Sequence, residues 1–391
     1  MDDYQEAQSP RLESLTAQMI FFVRSYIADF DARLGKYFAA LAEAGIGFGF
    51  IGWKKDEQQA QERAGFHYFS RRARLGGGWK NAVALLHWNL YVFWRLVKER
   101  RRICAVHAVD LDAGLSSWLF CLLFRRPLVL DLYDKYTAVR NIKGPVGQIL
   151  DLLEKLIAHA AALTIIASPE RYIQHGLRPG DSRVLVLENV PNAAVEPVSP
   201  WQASKPWNIG YFGVLEERHR GLEALLAVCK GRADVQLHVA GYGRLAPQFA
   251  AAAETEANVH YYGAMDSQAG LDLMARMDVV VGMYYLSVPN HRYASPNKYY
   301  EHLMLGRPLL TSAGTPPGAR VEQDISGWAV AEGEPPLEQW LDGLDAAAIM
   351  ARGGRAVRIW NERYATYYRS HYCGQYVTRI RRLCDGGRRN G

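Results

Sequence analysis

Apolar and polar positions along the chain fall into two kinds of block. Residues 18–24 (QMIFFVR), 46–53, 103–109, 127–131, 163–167 and 184–187 are short, nearly continuous apolar runs, the signature of buried strands. Between them lie longer amphipathic stretches, the first over 31–45, that predict helices. This alternation favours a parallel sheet with helices on both faces. Residues 192–206 then carry three prolines, small residues and little periodicity, which reads as a linker.

A second series follows. Strands are predicted at 208–212, ending in Gly213, and at 235–240, ending in Gly241-Tyr242-Gly243. A helix over 222–230 is opened by Arg220-Gly221, and further strands fall at 259–262, 279–283 and 308–312. Beyond Ala347 the chain is helix-rich and carries Trp360, Tyr364, Tyr367, Tyr368, Tyr372 and Tyr376.

One helix has both ends marked. Ser295 is the predicted N-cap, Pro296 the first helical residue, Gly306 the left-handed closing residue, and Pro308 ends the pattern before the strand. A helix start of this kind gathers unpaired N–H groups and seats phosphate. Ser295, Pro296, Asn297 and Lys298 form that seat, and Glu301, one turn on, suits sugar or ribose hydroxyls.

With 391 residues the chain has room for two domains, and 49% hydrophobic residues exclude a disordered protein. Five scattered cysteines, odd in number and without C-x-x-C, point to a reducing compartment and away from a disulfide or zinc framework. The N-terminus is acidic and polar through Glu13, without a secretory pattern, and the longest apolar run, 115–124, is too short to span a bilayer. A cytoplasmic protein is expected.

The net charge of +6 is uneven: residues 71–102 hold nine Arg and Lys against Glu99. In the predicted helix 79–102, Trp79, Val83, Leu86, Leu90, Phe93 and Val97 form a stripe expected to pack on the sheet. The opposite face shows Trp88, Tyr91, Arg95, Lys98 and Arg102. Rings among cations suit the headgroups of an anionic membrane; a solvated basic face covered by a loop is the plainer reading. No recognition fold for nucleic acid accompanies the patch.

The segment from Ser295 through Glu301 to Gly306-Arg307-Pro308 resembles the donor-binding signature of GT-B glycosyltransferases, particularly the large glycosyltransferase 4 family. The resemblance implies two facing doubly wound Rossmann-like domains with a cleft between them and a C-terminal helix crossing back. Residues 1–195 would be the acceptor domain, 196–206 the linker, 207–355 the donor domain and 356–391 the tail. It also implies a hexosyltransferase that moves sugar from a nucleoside-diphosphate donor to a glycan in polysaccharide or glycolipid biosynthesis, and the membrane reading of the helix 79–102 adds a lipid-linked acceptor. Such an enzyme would work peripherally on the inner membrane face.

In that family a Glu-x7-Glu pair contacts the donor; here the second position is Glu301 and the first is Tyr293. The diphosphate-gripping Arg and Lys correspond to Val214 and Arg220, and Gly213, Gly241 and Gly243 border the nucleotide. The stretch after strand 127–131 is similar to that of xanthan-type glucuronosyltransferases, whose Asp there is the general base, so the resemblance makes Asp134 the base. Tyr133 stands where many members place a His, and His107, Asp110 and Asp131 are further strand-end candidates. Asp29 and Asp31 are candidate acceptor contacts. No Asp-x-Asp of the kind that holds a metal–diphosphate is recognised, so neither metal nor cofactor is expected, with Arg220, Lys298 and the helix dipole meeting the charge. The competing readings are a non-catalytic GT-B protein binding a glycan or a partner transferase, and a nucleotide-sugar epimerase of the same fold.

Overall fold

The computed structural model describes residues 18–55, 61–71, 78–192 and 201–388. The acidic start of the chain and most of the linker, 193–200, lie outside the described residues, as do Arg72, Arg74 and the Trp79 and Lys80 side chains.

Seven strands make the first sheet: β1 (Met19–Arg24), β2 (Phe48–Lys54), β3 (Phe66–Ser70), β4 (Ile103–Val109), β5 (Leu128–Leu132), β6 (Leu163–Ile166) and β7 (Val184–Val186). Their order is β3-β2-β1-β4-β5-β6-β7. Six make the second: β8 (Trp207–Phe212), β9 (Val235–Ala240), β10 (Val259–Tyr261), β11 (Val279–Gly282), β12 (Leu309–Ser312) and β13 (Gly327–Val330), ordered β10-β9-β8-β11-β12-β13. In both sheets the order reverses beside the first strand, the doubly wound pattern, which opens a crevice at the strands' carboxyl ends. Continuous apolar strands build this because both faces are covered: Ile209, Val235, Leu237, Val279, Val281 and Leu310 are all sealed in the core of the second sheet. The periodicity had not marked β3 or β13, where the burial is only partial.

The chain divides into two compact units, described separately. One holds the described residues up to Leu130 with the C-terminal helix from Val377; the other is Asp131–Tyr376.

In the first unit, the helix Gly78–Glu99 buries a different stripe from the expected one. Ala84, Trp88, Val92 and Leu96 face inward, and Trp88 is fully buried, its indole N–H donating to the Asp112 carbonyl at 3.0 Å. Trp88 stacks on Trp53, with centroids 5.7 Å apart. It is therefore a core residue rather than a membrane contact, because the rings Trp53 and Phe69 on β2 and β3 draw it onto the sheet. Tyr91 and Arg95 are half-buried, Arg95 and Arg102 both pair with Glu99, and Lys98 lies 3.6 Å over the Trp94 ring. Leu86, Leu90 and Trp94, two of them expected inside, are exposed instead. The helix Asp110–Phe124 adds exposed Leu115, Leu119, Leu122 and Leu123, followed by Arg125 and Arg126.

The cysteine reading also changes. The structure joins Cys104 on β4 to Cys384 on the C-terminal helix Val377–Arg388, 280 residues apart in sequence. That helix packs on β4, which brings the two together. No helix among the described residues is long and apolar enough to cross a membrane.

In the second unit the helix Gly144–Ala160 exposes Val146, Ile149, Leu152 and Leu156 in one ridge, with Lys143 and Lys155 also exposed.

Candidate active site

Loops at the carboxyl ends of β8, β9 and β11 meet where the second sheet reverses. Gly213, Gly241 and Gly243 have φ of 149°, 143° and 146°. A Cβ on Gly241 would lie 1.8 Å from the Gly213 carbonyl oxygen, and one on Gly243 would lie 2.4 Å from that of Leu215. The glycines thus let two loops lie backbone against backbone. Gly282 makes room in a second way, since its Cβ would meet the Lys298 stem at 2.9 Å.

Lys298 runs back from the first turn of the helix Asn297–Leu305 and donates to the Phe212 carbonyl, its ammonium 4.7 Å from the Tyr211 ring centroid. Burial pulls its pKa from 10.5 to about 8; the Glu301 carboxylate opposes this and Arg220 adds to it. Arg220 pairs with Glu216 at 2.8 Å and stacks 5.0 Å over the buried Tyr284 ring. Tyr284 in turn meets His291 edge-on at 5.6 Å. Burial, reinforced by Arg220, lowers the His291 pKa to about 4, so this imidazole is neutral near pH 7. Glu301 acts electrostatically on both Lys298 and Tyr284, which places its carboxylate in the same group. Val214, at the position of the second expected cation, is exposed.

The helix start differs from expectation by one residue. Pro296 is the N-cap, at φ −78° and ψ 148°, and no side chain caps the helix. Ser295 instead donates its hydroxyl to the Ala167 carbonyl at 2.9 Å, while its own carbonyl accepts from Asn189 at 2.8 Å. Long-range bonds have displaced the local cap, and they anchor the helix start to the chain around β6 and β7. Gly306 closes the helix at φ 64°, as expected.

Glu188, two residues beyond β7, completes the anchoring. Its carboxylate accepts from Tyr300 at 2.8 Å and from Arg320 at 3.0 Å. Arg320 also reaches Glu170 at 3.2 Å. The Glu188 N–H donates to the Tyr367 hydroxyl at 2.8 Å, and its carbonyl accepts from Tyr372 at 3.0 Å.

Asp134 follows β5 and is about half exposed. Its Oδ1 accepts from Arg171 at 2.9 Å and from Asn290 Nδ2 at 2.5 Å. Gln174 Nε2 donates to Asn290 Oδ1 at 2.5 Å, and Arg171 donates to Gln174 Oε1 at 3.4 Å, which closes a ring of four side chains. Tyr133 is beside it, half-buried, and Asp131 is fully buried. The sequence patterns do not single out Asn290, Arg171 or Gln174; polar residues one helical turn apart at 171 and 174 are the available signal.

Other candidates fall elsewhere. In the first unit His107 has no exposed surface and lies 4.5 Å from the Phe22 ring and 4.8 Å from Tyr37, so it is a packing residue there and not an accessible acid or base. Asp31 caps the helix Ala32–Glu43 and pairs with Arg24 at 2.5 Å. Asp29 holds Arg63 at 2.9 Å, and Asp110 sits at φ 59° with Arg24 3.9 Å away.

No family model and no curated protein sequence matches this chain. Its structure is similar to sucrose-phosphate synthase from Thermosynechococcus elongatus, at 15% identity and a TM-score of 0.68 over 94% of this chain and 99% of that one. The chain has the GT-B fold. Anabaena HepE, solved in complex with UDP, gives a TM-score of 0.63 at 16% identity, covering 92% of this chain and 98% of that one. WaaG, a glycosyltransferase involved in lipopolysaccharide biosynthesis, gives 0.58 at 14%, covering 90% and 97%. In GT-B terms Lys298, Arg220 and Glu301 lie at the switch point of the second sheet, where open α/β sheets bind ligands.

Proposed function

We propose that this GT-B chain transfers a hexosyl unit from a nucleoside-diphosphate sugar to a glycan acceptor. The observation that carries the reading is the half-buried Lys298, with Arg220 and Glu301 acting on its charge, at that switch point. A lysine held at about 8 by burial regains its ordinary basicity when an anion arrives, so the site is built to gain from diphosphate. During transfer the leaving diphosphate acquires charge. Lys298, Arg220 and the N–H groups of the helix start offset it without a metal or other cofactor. Glu301 takes the ribose hydroxyls, and Asp134 takes the acceptor proton, which makes the reaction inverting. HepE is described with UDP, so uridine nucleotides are the first donors to try.

The acceptor is carried on a lipid in this reading, as a step of polysaccharide or glycolipid assembly on the inner membrane face. Its support is the exposed apolar ridge Val146, Ile149, Leu152 and Leu156 with Lys143 and Lys155, and, in the first unit, the exposed leucines followed by Arg125 and Arg126. The Gly144–Ala160 ridge replaces the Trp88 face as the docking surface. Flotation with anionic phosphatidylglycerol vesicles tests it: Ile149→Glu with Leu152→Glu should release the protein, and Arg95→Glu should not.

The donor reading is tested by thermal shift with UDP, GDP, TDP, ADP and CMP, with and without Mg²⁺. One diphosphate should stabilise the protein independently of metal, and Glu301→Ala should keep the melting temperature but lose the response. Val214 and Tyr293, which lack the charges of the signature, favour a non-catalytic glycan-binding GT-B protein as the second reading. No response to any nucleotide would select it.

A further inference from the structure

We infer that Asn290 is a positioning residue that couples the donor site to Asp134. The short helical turn Pro289–Tyr293 carries two adjacent side chains that face different groups. His291 meets the Tyr284 ring, which lies under the Arg220 guanidinium. Asn290, its neighbour, donates to Asp134 Oδ1.

Asn290 is well placed to transmit position. It is 8% exposed, and its amide orientation follows from its partners: Oδ1 accepts from Gln174 Nε2, so Nδ2 is the group aimed at the carboxylate. Arg171, 4% exposed, holds the same Asp134 oxygen at 2.9 Å and reaches Gln174 Oε1. The ring closes only when the turn is in its present place. A ligand pulling Arg220 therefore moves Tyr284, the turn and the Asn290 amide together, and resets the rotamer of Asp134. A nucleoside diphosphate at Lys298 and Arg220 is such a ligand.

The inference rests on the donor site and on Asp134 at the reacting centre, and its test separates the failures. The protein is labelled with ¹³C at aspartate Cγ, and the Asp134 signal is assigned by its loss in Asp134→Asn. UDP at pH 7 should shift that signal in the wild type. In Asn290→Ala the UDP response of Asp134 should be lost while UDP still raises the melting temperature. Gln174→Ala, which unhooks the Asn290 amide without touching Asp134, should weaken the response in the same sense. An equal UDP shift in Asn290→Ala overturns the coupling, and so does a wild-type Asp134 signal that UDP leaves in place. Full transfer activity in Asp134→Asn would remove Asp134 as base while leaving the coupling itself to be judged by the carbon signal.

Discussion

Lys298 makes nucleotide affinity depend on pH in a way that can be worked out in advance. Its ammonium has a pKa of about 8 in the free protein against an ordinary 10.5, chiefly because of burial. A bound diphosphate restores the charged form, so binding above pH 8 requires proton uptake. At pH 7 about nine in ten molecules already hold the proton; at pH 9 only about one in ten does. If the bound value is 10.5 or higher, affinity for UDP falls about tenfold from pH 7 to pH 9. The diphosphate is already ionised over this range and adds no slope of its own. Calorimetry at pH 9 in buffers of different ionisation enthalpy should show uptake of nearly one proton per UDP. Lys298→Met should bind more weakly with no such slope. The effect on stability has the opposite sign: the unfolded state binds more protons between about pH 8 and 10.5, so this group's contribution rises with pH across that window. A flat wild-type affinity, or a slope that persists in Lys298→Met, would refute the reasoning.

Three further outcomes are expected. Trp88→Ala should cost about 3–5 kcal/mol in urea unfolding, because it empties a core site shared with Trp53 and Phe69. Cys384→Ser, or reduction of the wild type, should lower stability by about 2–4 kcal/mol, with the two treatments matching each other. Gly241→Ala should cost at least about 2 kcal/mol and abolish the UDP thermal response, since a Cβ there meets the Gly213 carbonyl at 1.8 Å.

The legible parts of this molecule were those fixed by local pattern. β4 and β9 fall on the residues that the apolar runs mark, and Gly306 closes its helix because nothing but a left-handed residue fits there. What escaped depended on distant partners. Ser295 looks like a cap, yet its hydroxyl goes to Ala167. The helix Gly78–Glu99 carries apolar residues on most of its circumference, so period alone could not choose its inner face; Trp53 and Phe69 chose it. Cys104 and Cys384 are paired by the packing of a terminal helix on β4, a relation that spacing does not record. Within the site, Arg220 and Glu301 act electrostatically on Lys298 and lie in the donor segment with it, while the Asp134–Asn290 bond joins residues 156 apart.

Glu188 bears on the order in which the chain assembles. Its partners Tyr300, Arg320, Tyr367 and Tyr372 lie 112 to 184 residues downstream. During synthesis the segment after β7 therefore emerges long before anything that can bind it, and the contacts around it are among the most non-local in the unit. The unit Asp131–Tyr376 cannot reach its final packing on the ribosome until Tyr372 has left the exit tunnel. A nascent chain stalled before that point would leave the Glu188 carbonyl without its Tyr372 partner.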